Sequence, residues 1–177
     1  MKIYVNKMAR ISKDEYYLQI AKSVAKRSIC IEGRWGFGAI IVVNDAIVST
    51  GYAGPARGVV NCNEAGGCSR NIMKVNHNEP YEHCPSVHAE ENAIVNAARH
   101  GSRVLNGVMF AVGVDNNGNV RPCLPCPRCK RLLINAGIKQ VVTLEENGNI
   151  TRYDVRDWVE EDSKAYTESL KKIKNIN

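Results

Sequence analysis

Two short stretches of this chain carry residue types that could do metal-assisted chemistry, Ser86-Val87-His88-Ala89-Glu90-Glu91-Asn92-Ala93-Ile94 and Pro125-Cys126-Pro127-Arg128-Cys129-Lys130. Each opens an apolar helical pattern, which puts His88 at one helix start and Cys126 and Cys129 on the first turn of another. An imidazole and two thiolates are soft ligands that suit zinc. A structural zinc is closed by four protein ligands, whereas a catalytic one keeps three and leaves a position for water. His88, Cys126 and Cys129 are three. Glu90, two residues past the histidine, is too close to be a comfortable fourth ligand on the same turn. It is well placed to touch a water at the open position and to move its proton.

A His-x-Glu paired with a Pro-Cys-x-x-Cys is the signature of zinc-dependent nucleobase deaminases. His88-Ala89-Glu90, Pro125-Cys126-Pro127-Arg128-Cys129 and Ile134-Asn135-Ala136-Gly137-Ile138 resemble the cytidine and deoxycytidylate (dCMP) deaminase superfamily. The stretch 42–58 and Asn61-Cys62-Asn63-Glu64 resemble its dCMP branch, and the likeness runs over roughly residues 12–145. It implies an α/β protein with a three-layer α-β-α cytidine-deaminase-like fold, a central mixed sheet of about five strands flanked by helices. The implied activity is zinc-dependent hydrolytic deamination of a cytosine nucleotide, dCMP to dUMP first of all, with Glu90 as proton carrier. A homo-oligomer is implied as well, because pockets in this family are often completed across a subunit interface. The alternatives are a deaminase of another amino-heterocycle (a nucleoside, a free or a modified base), a tRNA adenosine deaminase, and an inactive zinc-binding assembly module.

The branch usually reads Gly-Tyr-Asn-Gly after its second strand, with the asparagine bonding the substrate, where this chain has Gly51-Tyr52-Ala53-Gly54. Alanine cannot make that bond, and a polar substrate group left unpaired costs ~1–3 kcal/mol. Arg57 could meet a phosphate as a fork-shaped donor. Ala53, Arg57 and Ala89 are therefore the candidate substrate-contacting residues.

Composition bounds the rest. The 177 residues, 44% hydrophobic and 24% charged, suffice for one well-covered core. A single domain over 1–177 is expected, with a Cys/Gly-rich insertion at about 53–86. No apolar run of the ~18 residues that a membrane span needs is present, nor an apolar signal core, so the expected location is the cytoplasm. The seven cysteines are an odd number in spacings that suit ligation, which favours metal binding in a reducing compartment over disulfides. A net charge of +6 would suit a phosphate-bearing substrate or nucleic acid, and equally a solvated basic surface. The lysines and arginines are scattered and aromatic content is only 6%, which argues against nucleic acid.

Along the chain, residues 12–28 read as an amphipathic helix with Ser12 and Glu15 forming a capping box, and Tyr16, Tyr17, Ile20, Ala21, Val24 and Ala25 on its apolar face. Cys30 follows, read as a buried inert thiol. Residues 38–43 and 47–52 read as strands of a hairpin turning at Asn44-Asp45, both buried on two faces. The span 51–84 loses periodicity and is the expected seat of specificity. It carries Cys62, Cys68, His83 and Cys84, a candidate second, structural zinc set. His83 and Cys84 are sequence neighbours, so His77 is a substitute, and free thiols packed under the loop are the alternative.

Residues 89–100 read as a helix ended by Gly101, and 108–114 as a buried strand. A turn at 115–118 precedes two Pro-Cys-x-x-Cys registers, one starting at Pro122 and one at Pro125. The second is preferred, because Pro127 suits a helical first turn and the spacing from Cys129 to Asn135 matches the resembling family. Cys123 then becomes a spare thiol. A short helix to Ala136, a strand at 140–144, an Asn147-Gly148 turn and an antiparallel strand at 150–153 follow. The dCMP branch more often has a helix and a parallel strand there. Residues 155–173 close the chain as a helix with Trp158, Val159, Tyr166 and Leu170 on its apolar side, Trp158 serving as a packing anchor or subunit contact.

Overall fold

The computed structural model describes residues 10–28, 30, 35–75 and 83–174. Helix α1 (Lys13–Ala25) starts where expected: the Ser12 hydroxyl accepts the Glu15 N–H, and the Glu15 carboxylate accepts the Ser12 N–H at 2.8 Å. Tyr17, Leu18, Ala21 and Ala25 are its buried residues, while Tyr16 faces solvent. Cys30 is exposed rather than buried, because it lies past Ala25, the last α1 residue that packs on the sheet.

Strands β1 (Trp35–Val43) and β2 (Ala46–Tyr52) form the expected hairpin. Asn44 and Asp45 take φ of 49° and 65°, the left-handed pair of a type I′ turn. The Tyr17 hydroxyl donates to the Asp45 carbonyl at 2.9 Å and ties α1 to that turn. β1 is buried on both faces. β2 departs from the expectation: it is a sheet edge, with Ile47 and Tyr52 exposed and only Ser49 and Gly51 buried.

The sheet runs β2-β1-β5-β7-β8, with β5 (Val108–Asp115), β7 (Gln140–Leu144) and β8 (Ile150–Asp154), and the two-residue β6 (Val120–Arg121) added to β5. β5 and β7 are parallel and the other neighbours antiparallel, so the sheet is mixed. The parallel step needs a crossover, supplied by α4 (Pro127–Asn135). Alternation along the strands splits the core in two. Ile40, Val42, Phe110, Val112 and Val142 pack under α1. Ala39, Ile41, Met109, Ala111 and Val141 pack under α3 (Ala89–Arg99), α4 and the start of α5 (Val155–Lys174). These are the three layers of the expected α-β-α fold. Between β2 and α3 lie β3 (Gly54–Pro55), the short α2 (Ser69–Ile72) and β4 (Ser86–Val87), with β3 and β4 paired.

The contact that positions the site is α3 on β2. A side chain at Gly51 would run into the Ala89 carbonyl and the Ala93 amide, so only glycine lets the strand approach the first turn of α3. The Ser49 hydroxyl donates to the Ala93 carbonyl at 2.6 Å, and the Asn92 and Asn96 side-chain amides donate to the Tyr52 and Thr50 carbonyls at 2.8 Å each. α5 is anchored by Val155 and by Trp158, 3% exposed, over which Lys130 sits 4.8 Å from the ring centroid. Val159, Tyr166 and Leu170 do not share that burial: the helix outruns the sheet, and all three are exposed. Among the described residues no helix is long and apolar enough to cross a membrane.

Candidate metal centre

His88 is the N-cap of α3 and Cys126 the N-cap of α4, both with extended backbone, and Pro127 occupies the first turn of α4. The His88 imidazole and the Cys126 sulfur face each other between the two helix starts. His88 Nδ1 lies 3.5 Å from Cys126 Sγ and 3.4 Å from Cys129 Sγ. Tetrahedral zinc, with bonds of about 2.3 Å to sulfur and about 2.05 Å to nitrogen, holds such atoms about 3.5 Å apart. Both nitrogen–sulfur separations match that value, and the three donor atoms all lie within 4.8 Å of one another. Among the described residues they are the one set of three ligand groups gathered within 4.8 Å.

Glu90, on the first turn of α3, is 6% exposed, and its carboxyl is within hydrogen-bond reach of the Cys129 sulfur. Burial holds its pKa above the ordinary carboxylate range. The Cys126 thiol is pushed down to about 3, first by the hydrogen bond from Cys129 and then by that from His88. Cys129 moves up, through the same bond to Cys126 and through burial. His88 is raised, chiefly by its bond to Cys126. Cysteine and histidine bind a metal in their deprotonated forms, so a divalent cation taken up here would release protons. Two helix N-termini also point at the cluster and favour negative charge there. Arg128 and Glu91 pair across the two helix starts and brace them together.

Cys123 is buried behind this group, close enough for the Glu90 charge to raise its thiol, yet burial is the larger cause and it is no part of the three-ligand set. Ala89 is buried, and Ala53 donates its N–H to the Phe37 carbonyl at 2.9 Å. Arg57 is turned along α3, donating to Asn96 Oδ1 at 3.1 Å. Cys62, Cys68, His83 and Cys84 do not converge as tightly as the first set. The buried Cys62 thiol is raised by burial and then by Cys84, Cys68 and Cys30. His83 is exposed, its backbone carbonyl accepting from Ser69. His77 lies outside the described residues.

Asp115 was missed as a positioning residue. Its carboxylate accepts the Asn117 and Asn119 N–H groups at 2.9 Å, the Asn119 side chain at 3.1 Å and Arg121 at 2.8 Å, shaping the turn that returns β5 through β6 toward Cys126. The Asp-x-Asn-x-Asn spacing was the available signal. These bonds, the Asn119 side chain first, lower its pKa from 3.8 to about 2. A depressed acid contributes stability above its unfolded pKa and loses it as pH falls through the folded one. Asp115→Asn should therefore flatten the acid limb of the stability curve between about 4 and 2; an unchanged limb in acid-unfolding titrations would refute the role.

Three soft ligands from two helix starts, with a buried acid beside them on a three-layer α-β-α fold, form a candidate zinc centre. The profile of the cytidine and deoxycytidylate deaminase zinc-binding region matches residues 11–145, and the chain belongs to that family. A deoxycytidylate deaminase of Schizosaccharomyces pombe is 35% identical over 133 residues, covering 75% of this chain and 37% of the relative, so the chain spans little more than a third of that protein. The deoxycytidylate deaminase of Enterobacteria phage T2 is 30% identical over 157 residues, covering 72% of this chain and 77% of the relative. The crystal structure of the cyanophage S-TIM5 dCMP deaminase in complex with dCMP and dUMP shares the fold at a TM-score of 0.56, with 24% identity, covering 77% of this chain and 85% of that one.

Proposed function

We propose that this chain is a zinc-dependent hydrolytic deaminase that converts a cytosine nucleotide to the uracil nucleotide with release of ammonia, dCMP being the substrate and dUMP the product. The observation that carries the reading is the convergence of His88, Cys126 and Cys129 with Glu90 buried beside them. Two similar proteins bear the name deoxycytidylate deaminase, which supports the choice of substrate.

Zinc held by these three residues acidifies water and so supplies a nucleophile at neutral pH. Glu90 takes a proton from the attacking water and passes it to N3 of the ring as oxygen adds to C4. It then moves the second proton to the amine, which leaves as ammonia while C4 keeps the oxygen as a carbonyl. A carboxyl whose pKa burial has raised can hold a proton between those two transfers. Ala89 and Ala53 are assigned to the substrate contact, a reading supported by Gly51 and Asn92, which hold the end of β2 on the first turn of α3.

Ammonia release measured over dCMP, dCTP, cytidine, adenosine, guanine and tRNA tests the assignment: dCMP should lead, and a nucleoside, another base or tRNA leading would displace it. Arg57 is assigned to the substrate phosphate, which would draw it off Asn96. Arg57→Ala should then raise KM for dCMP about tenfold or more, the worth of a charge-assisted bond, and leave deoxycytidine unaffected. Equal effects on both would exclude a phosphate contact.

A second, structural zinc at Cys62, Cys68 and Cys84 is part of the same proposal, supported by the crowding of thiols around Cys62. His83 is the fourth member of that set. Metal analysis should find two zinc ions per chain and one in Cys62→Ser. A count of one in both proteins would remove the second site. Thiolate ligands work best where thiols stay reduced, which favours the cytoplasm, and the assembly is proposed to be a homo-oligomer.

A further inference from the structure

The sheet row level with His88 holds an aromatic side chain that takes no part in the proton chemistry. The Asn92 and Asn96 side chains bond the Tyr52 and Thr50 carbonyls, so α3 runs back along β2 and its first residues lie level with the chain just past Tyr52. The pairing of Gly54 with Val87, one residue before His88, fixes the same level. Across the sheet at that height Ala53 donates to the Phe37 carbonyl, and Phe37 stands opposite Gly113. Phe37 shares its face of β1 with Ala39 and Ile41, the face that α3 and α4 cover. One row further in, Ala39 and Ala111 are fully buried, whereas Phe37 and Ala53 are only partly so. The sheet thus opens at the level of the metal centre, and Phe37 stands in the opening.

The opening is apolar. Alanine and glycine flank one ring, and no side chain of that row can make a hydrogen bond. The ring is held on two sides: a β-carbon at Gly113 would stand 3.0 Å from it, and Trp35, two residues back on the same face, meets it edge-on with the centroids 6.3 Å apart. A fixed ring between two small residues offers a flat apolar surface, and such a surface takes the face of a nucleobase whatever its hydrogen-bonding edge. We propose that Phe37 is a specificity-determining residue of this chain, its ring carrying the base of the substrate at the metal centre. The role rests on the proposed deaminase activity. It leaves the proton transfers to Glu90 and gives Phe37 the holding of the ring on which they act.

Steady-state deamination and equilibrium binding of dUMP by the full zinc-loaded chain test it, with zinc content and thermal unfolding measured on each variant. Phe37→Leu keeps an apolar side chain in the row and removes the flat face. It should raise KM for dCMP and weaken dUMP binding about tenfold, within the range for loss of a base stacked on an aromatic ring, while kcat stays within about threefold and the zinc is kept. Phe37→Tyr, which keeps the ring, should bring both values back toward the parent. Unchanged KM and dUMP binding in Phe37→Leu, or a fall in kcat and zinc content without a rise in KM, overturns the proposal, because the ring would then only pack the core. Where another amino-heterocycle leads in place of dCMP, the same comparison is made on that compound and its product, so a wrong substrate and a wrong role for Phe37 give different results. A chain that deaminates none of them overturns both.

Discussion

Glu90→Gln is expected to lower kcat by about 10²–10⁴, the range ascribed to a positioned general acid–base, while the zinc content stays that of the unaltered protein. Glutamine keeps the shape and removes the proton traffic. Its carboxyl is buried and its pKa raised, and a group raised on folding contributes stability below its unfolded pKa and loses it as pH rises through the folded one. At neutral pH the metal-free variant should thus be at least as stable as the parent. Turnover at the parent rate would show that the acid does no work. Loss of zinc along with activity would show instead that Glu90 is a ligand.

The second large effect is expected at Cys129→Ser. Cys129 is fully buried and its sulfur stands 3.4 Å from His88 Nδ1, so a hydroxyl there leaves two good ligands where zinc needs three. This centre should lose its metal and turnover should fall to background, whatever the second site retains. Cys123→Ser is the matched control. That thiol is buried but outside the ligand group, so the variant should keep zinc and activity, at about 1–3 kcal/mol of stability for burying a hydroxyl. The opposite pattern would assign the ligands to the register starting at Pro122.

Much of this was legible in the chain, for reasons that differ by element. Ser12 with Glu15, Asn44-Asp45 and Asn147-Gly148 are local signals: the residues that make the cap or turn are adjacent, and the structure has all three. The antiparallel β8 followed from such a turn, although the resembling branch commonly has a parallel strand there. β2 was misread because an apolar run looks the same at a sheet edge as at its centre, and only pairing tells them apart. Cys30 was misread as buried because a cysteine in a connection carries no periodic pattern to show whether it packs. The clamp that sets His88 was out of reach altogether. Gly51, Ser49, Asn92 and Asn96 are unremarkable in sequence, and their meaning lies in a contact between segments some 40 residues apart.

Anomalous scattering at the zinc edge, measured on crystals of the zinc-loaded protein, tests the central claim most directly. The account predicts a peak bonded to His88 Nδ1, Cys126 Sγ and Cys129 Sγ, a solvent molecule as fourth ligand, and the Glu90 carboxylate touching that solvent without touching the metal. A peak ligated by Glu90 itself, or none between the two helix starts, would contradict it.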